Sequence, residues 1–157
     1  MVGVIADTHG LLRPEIVTAF DGVHVILHAG DVGGRAVLEA LSKMAPVEAV
    51  YGNTDDRHDP SLARERVVSV GGVTIHVSHG HELGRPTPEL ALARYSGDVV
   101  IFGHTHSAIV LQDAAGRTAL NPGAAGPRRF DLHPSVARLT IVAGATAEID
   151  VEIISLA

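Results

Sequence analysis

Apolar residues along this chain fall in short blocks, each closed by glycine or by a side chain able to bind a ligand. Val2-Gly3-Val4-Ile5-Ala6, Val23-His24-Val25-Ile26-Leu27 and residues 47–51 and 98–102 are near-continuous apolar runs, the pattern of strands buried on both faces. Between the early runs the period is helical. Residues 14–20 carry Ile16, Val17 and Phe20 on one side with proline in the first turn, and residues 35–44 turn Val37, Leu38 and Leu41 inward. Residues 66–70 and 73–78 then flank Gly71-Gly72, which signals a tight antiparallel hairpin. Thr87-Pro88-Glu89 has the chemistry of a helix start, and that third helix should reach about Tyr95. Residues 108–112, 118–120, 136–142 and 148–154 predict a run of antiparallel strands. Strand–helix alternation followed by a meander implies an α/β chain built as a two-sheet sandwich flanked by helices.

Composition narrows the classes. The 157 residues, 46% hydrophobic and 19% charged, suit one compact domain over residues 1–157 with its own core. A formal net charge of -6 argues against a binder of nucleic-acid polymers. With no cysteine there is no disulfide framework, thiolate site or cysteine nucleophile, and with no leader-like or membrane-spanning run the expected location is the cytoplasm, away from membranes. Ten histidines against five Phe and Tyr together is the anomaly, and histidine is the commonest metal-ligating side chain.

The positions of those histidines carry the argument. His104 and His106, in Gly103-His104-Thr105-His106, leave the end of the 98–102 run two residues apart, and Asp7 and His9 leave the first run at the same spacing. Residues two apart on extended backbone share a side, so each pair is expected at neighbouring points of one pocket. Asp31, Asn53 and His79 also follow predicted strands. Taken singly, Asp7 reads as a turn or cap and Asn53 as a turn residue. Together, seven oxygen and imidazole donors at strand ends would share one sheet edge, where α/β proteins bind ligands. They are too many for one tetrahedral site and suit two metals, with Asp31, central in the set, as the natural bridge. Two divalent cations against two carboxylates leave a net positive charge that attracts a phosphate anion. The imidazoles favour Mn, Fe, Zn, Co or Ni over calcium.

Asp7-Thr8-His9, Gly30-Asp31, Gly52-Asn53, His79-Gly80-His81 and Gly103-His104-Thr105-His106, in that order, resemble the five signature blocks of the calcineurin-like metallophosphoesterase superfamily. Asn121-Pro122-Gly123 resembles a further segment of its small prokaryotic phosphodiesterase branch. The resemblance implies that Asp7, His9, Asp31 and His106 hold one metal and Asp31, Asn53, His79 and His104 the other. It also implies a four-layer αββα sandwich of two mixed sheets without a cap domain, and phosphoester hydrolysis, of diesters in particular, by a metal-activated water. By analogy with the branch a homodimer is possible. The superfamily also includes a retromer subunit thought to work as a protein-binding scaffold, the alternative expectation here. A Rossmann-type reading fails on Gly10-Leu11-Leu12, which lacks the glycine-rich phosphate turn.

One departure matters. Many members carry a histidine after the third-block asparagine, thought to assist the leaving group, whereas here Thr54 and Asp55 follow Asn53. His81 is the first substitute as proton donor, with a supporting hydrogen-bond role as the other reading. Asn53, His81 and Arg128 are the residues expected against substrate, although Arg128 and Arg129 also read as a solvated charge pair. His24 and His76 fall inside predicted strands and read as packed or edge residues, His58 and His133 as loop residues, and His28 as a support for Asp31 or Asp7.

Overall fold

The computed structural model describes residues 1–156. Three strands and two helices alternate first: β1 (Val2–Ile5), α1 (Glu15–Ala19), β2 (Val25–His28), α2 (Arg35–Ser42) and β3 (Val47–Ala49). The hairpin follows as β4 (Glu65–Val70) and β5 (Val73–Ser78), then α3 (Pro88–Arg94), β6 (Val99–Ile101), β7 (Ile109–Gln112), β8 (Thr118–Asn121), β9 (Ser135–Val142) and β10 (Glu148–Ser155). The Thr87 hydroxyl accepts from the Leu90 amide and so caps α3, as its sequence predicts.

Two five-stranded mixed sheets result, ordered β10-β9-β1-β2-β3 and β4-β5-β6-β8-β7. Strands β1, β2 and β3 are parallel to one another, as are β5, β6 and β8. The late strands are not one antiparallel run: β8 joins β6 in parallel, and β9 returns to the first sheet, antiparallel to β1 with Val4 opposite Ala137. Closing the first sheet from the far end of the chain covers the free side of β1, which a local meander would leave as an unpaired edge.

Alternation along the central strands assigns the layers. Val4, Leu27, Val77, Ile101, Leu120 and Leu139 meet between the sheets. Their neighbours Ile5 and Ile26 face the other way, onto Ile16 and Phe20 around α1 and Val37 and Leu41 of α2. On the opposite side Val100, Phe102 and Ala119 pack under Ala91 and Leu92 of α3. The order is therefore helix, sheet, sheet, helix, the expected αββα sandwich. Ile5, Ile26, Leu27, Ile101, Leu120 and Leu139 are fully buried, each worth about 2 kcal/mol of transfer free energy. The core thus stands on apolar packing that involves no candidate metal donor. Among the described residues no helix is long and apolar enough to cross a membrane.

Candidate metal centre

Beyond the ends of β1, β2, β3, β5 and β6 the loops of both sheets converge. Asp7, His9 and His106 form one group of donor atoms, and Asp31, His79 and His104 form a second. In the first, His106 Nε2 lies 3.4 Å from both Asp7 Oδ1 and His9 Nε2. In the second, His79 Nε2 lies 3.4 Å from Asp31 Oδ2, 3.3 Å from His104 Nδ1 and 3.1 Å from Asn53 Oδ1. Asn53 Oδ1 is also 3.1 Å from His104 Nδ1, which brings Asn53 into this group.

Backbone conformation places these side chains, by a route other than the extended chain expected. Asp7, His9, Asp31, His104 and His106 all have φ between 46° and 71°, and among the described residues Phe130 is the one further non-glycine residue with positive φ. This left-handed region is costly for residues with a Cβ and persists where surrounding structure over-determines it. Its effect at the β6 loop is to separate the two imidazoles, sending His104 to the Asp31 group and His106 to the Asp7 group. The two imidazoles reach their neighbouring points of the pocket by this route and not along extended backbone: the strand ends at Ile101, so the spacing rule for extended backbone does not reach residues 104–106.

Close backbone approach requires glycine here. A Cβ on Gly52 would stand 2.0 Å from Asp31 Oδ1, and one on Gly30 2.8 Å from the His79 ring. Asp31 Oδ1 accepts from the Thr54 amide at 2.9 Å, leaving Oδ2 to face His79 at 3.4 Å and His9 at 3.8 Å. One oxygen of Asp31 therefore stands between the two groups. Asp7 Oδ1 has a comparable position, 3.9 Å from both His9 and His79.

The donor set fits cations. Asp7 is fully buried, and its Oδ1 has no hydrogen-bond partner, an arrangement costly for an ion unless a positive charge compensates it. The His79 Nδ1–H donates to the Ala29 carbonyl at 2.8 Å, which turns Nε2 toward the oxygens of Asp31 and Asn53. Such an outer hydrogen bond orients a ligating imidazole. Burial opposes charge on His79, but the Asp31 hydrogen bond and Asp7 raise its pKa; carboxylates that draw a proton to this nitrogen would equally draw a cation. Burial also opposes ionisation of Asp31, yet His79 and the Thr54 amide hold its carboxyl well below the usual range. His9 and His104 are shifted down by burial, which favours the neutral imidazole with one nitrogen lone pair free to ligate.

Residues 1–144 match the calcineurin-like phosphoesterase superfamily domain. The chain belongs to this superfamily. A probable metallophosphoesterase of Methanothermobacter thermautotrophicus is 35% identical over 150 residues, 89% of this chain and 80% of the relative. A phosphodiesterase of Methanocaldococcus jannaschii is 27% identical over 140 residues, 78% of this chain and 82% of that protein. A single mutant of Vps29 from Entamoeba histolytica shares the fold at a TM-score of 0.79, with 22% identity and 98% of both chains covered. Membership of this superfamily implies divalent metal ions, for which the two Asp/His groups are the candidates.

Other histidines of this metallophosphoesterase domain sort by contact. His81 opens a 3-10 turn after Gly80, its ring 5.4 Å from His79 and 6.4 Å from His104, and its buried Nδ1 has no partner. His28 is fully buried against Thr8 and the Gly30 amide. His76 stacks on Tyr95 at 4.4 Å and bonds Glu65, away from the donor groups. His24, His58 and His133 are exposed. Arg128 is exposed too, whereas Arg129 lies close enough to His9 to disfavour its protonation.

Two residues have supporting roles that the sequence did not assign. Asp55 accepts the amides of Val32, Gly33 and Gly52 at 2.9–3.1 Å, tying the Asp31 loop to the Asn53 loop. Asn121 donates to the Gly103 carbonyl and Thr105 hydroxyl and accepts from the Gly123 amide, bracing the loop that carries His104 and His106. Asp55 stands two residues past Asn53 and Asn121 opens the Asn121-Pro122-Gly123 segment, but neither residue type announces which amides and carbonyls it bonds.

Proposed function

We propose that this chain hydrolyses phosphoesters, with diesters preferred, using two divalent transition-metal ions held by Asp7, His9, Asp31 and His106 on one side and Asp31, Asn53, His79 and His104 on the other. The observation that carries the reading is the convergence of seven donors on two points, with the buried Asp7 Oδ1 left without a partner. When bound, the two cations would polarise the phosphoester and acidify a shared water to supply the nucleophile. Asp31, reaching both groups through Oδ2, would hold the pair at fixed separation. Asn53, exposed at the rim, and His81 would face the substrate. A diester carries less charge than a monoester dianion and needs less compensation from a site with small net positive charge. The metals are of the Mn, Fe, Zn, Co or Ni class, as four imidazoles favour.

The test is reconstitution with each metal followed by a panel of phosphomonoesters, phosphodiesters and cyclic nucleotides, with metal content measured in parallel. Two metals per chain with diester turnover is the expected result. A second reading, a protein-binding scaffold like the retromer subunit, is favoured by the near-complete overlay on Vps29. Full metal content with no turnover on any ester would select it.

A further inference from the structure

Against the Asp31 group lies a second feature that the donor set does not use. A cavity of about 230 Å³ is bounded by Tyr51, Arg57, Arg64, His81, Glu82 and Tyr95, and it shares the His79 side chain with the candidate metal centre. We propose that it is a second-phosphate subsite: it takes a phosphate at the far end of a substrate arm while the scissile phosphoester sits at the donor groups. The proposal rests on the phosphoesterase reading and adds a substrate class to it, esters that carry a further phosphate.

Charge and preorganisation support it. Arg57 and Arg64 both come from the segment that follows Asn53, so the loop that supplies a metal donor also supplies two guanidinium groups. Arg64 is held by Glu82, which also accepts from the Tyr95 hydroxyl. One guanidinium is thus fixed at the wall. Arg57 is exposed and, among the described residues, makes no ion pair or hydrogen bond, so its planar fork is available for an oxyanion. His81 adds an imidazole to the same wall.

Size selects the kind of ligand. Sites that enclose whole drug-sized molecules run to roughly 300–1,000 Å³, so this cavity suits one arm of a substrate. A phosphate with a short linker fits that description, and the shared His79 puts it next to the reacting centre.

The chain contains its own reporter. Its only two tyrosines, Tyr51 and Tyr95, both line the cavity, and there is no tryptophan, so intrinsic fluorescence reports from the cavity walls. Titrating zinc-loaded protein with inorganic phosphate should give a saturable tyrosine response that Arg57→Gln removes. In kinetics, thymidine 5′-(p-nitrophenyl phosphate) is compared with the same ester bearing a 3′-phosphate. The 3′-phosphate should raise kcat/KM about tenfold in the unmodified protein, the factor that one charge-assisted hydrogen bond contributes. Arg57→Gln should abolish that advantage while leaving the simpler ester unaffected. An equal ratio in both proteins, or an unchanged fluorescence response in the variant, overturns the subsite. Should neither ester be turned over by protein carrying its metals, the phosphoesterase reading fails, and the fluorescence comparison alone decides the subsite.

Discussion

His28 donates its Nε2–H to the Thr8 hydroxyl at 3.0 Å, and Thr8 passes a bond to the Val32 carbonyl at 2.7 Å. The other ring nitrogen accepts the Gly30 amide at 3.1 Å, so His28 is neutral with its proton on Nε2. This chain of bonds joins the loop that carries Asp7 and His9 to the loop that carries Asp31. Two carboxylates from different strands are held in register by a side chain that is itself no donor to the site.

That neutrality gives a pH dependence. Burial lowers the His28 pKa from 6.5 to about 4. The unfolded chain therefore takes up this proton at higher pH than the folded one, and stability falls as pH drops from 6.5 toward 4. Full stabilisation is present above about pH 6.5, and the total loss on acidification is about 3 kcal/mol. Urea unfolding of chelator-treated protein between pH 7.5 and 4.5 should show the decline, and His28→Asn should flatten this component. A wild-type minus variant difference that stays constant with pH would contradict neutral burial.

Asp55 organises the second group from a distance. Asp55→Ala strands three amides around Asp31 and Asn53, at a cost of roughly 1–3 kcal/mol because the site is only partly buried. Metal should be lost first from the Asp31, His79 and His104 group, with circular dichroism unchanged. Asp55→Asn keeps an acceptor for two of the three amides and should retain most of the metal. Equal metal content in wild type and Asp55→Ala, by atomic absorption, would show that the loops hold without it.

For Asp31 the expected outcome is loss of metal from both groups. Its Oδ2 reaches His9 and His79 alike, and an amide in its place is a weaker ligand that leaves two cations under-compensated. Asp31→Asn should bind less than one metal per chain and lose nearly all hydrolysis. Because Asp7 Oδ1 has a similar reach, the comparison with Asp7→Asn is decisive: one metal retained in Asp31→Asn and none in Asp7→Asn would move the bridge to Asp7.

Much of this site was legible in the sequence because continuous apolar runs mark doubly buried strands, and the donors follow those runs directly. Two sheets flanked by helices followed from the strand–helix alternation, and the four-layer order from the family resemblance. What local pattern does not contain is the partner of a strand: nothing in residues 135–142 announces that Val136 and Ala137 return to the first sheet beside β1. The left-handed backbone at Asp7, His9, Asp31, His104 and His106 was also hidden, since residue type favours φ below zero at each. It is imposed by tertiary bonds such as those from the Asp7 amide to the Gly30 carbonyl and from the His9 amide to the Asp31 carbonyl. The bracing by Asp55 and Asn121 was hidden as well, because their partners lie on loops distant in sequence or on backbone atoms that carry no signature.

The role of His81 can be separated from mere support by its leaving-group dependence. Its ring stands beside His79 and His104 at the edge of the donor groups, and burial lowers its pKa. At neutral pH the imidazole is therefore mostly unprotonated, and its protonated fraction rises as pH falls. With Thr54 where many relatives of the superfamily carry histidine, an acid role for His81 would matter most for alkyl leaving groups, which depart poorly without a proton. His81→Ala should then slow a simple dialkyl phosphodiester about a hundredfold more than bis(p-nitrophenyl) phosphate, within the range general acids contribute. The ratio of poor to good leaving groups should climb as pH is lowered in wild type and stay level in the variant, because generation of the nucleophile affects both substrates equally and cancels. Equal slowing of the two substrates with metal content intact would assign His81 to positioning, and loss of metal would make it part of the scaffold that holds His79.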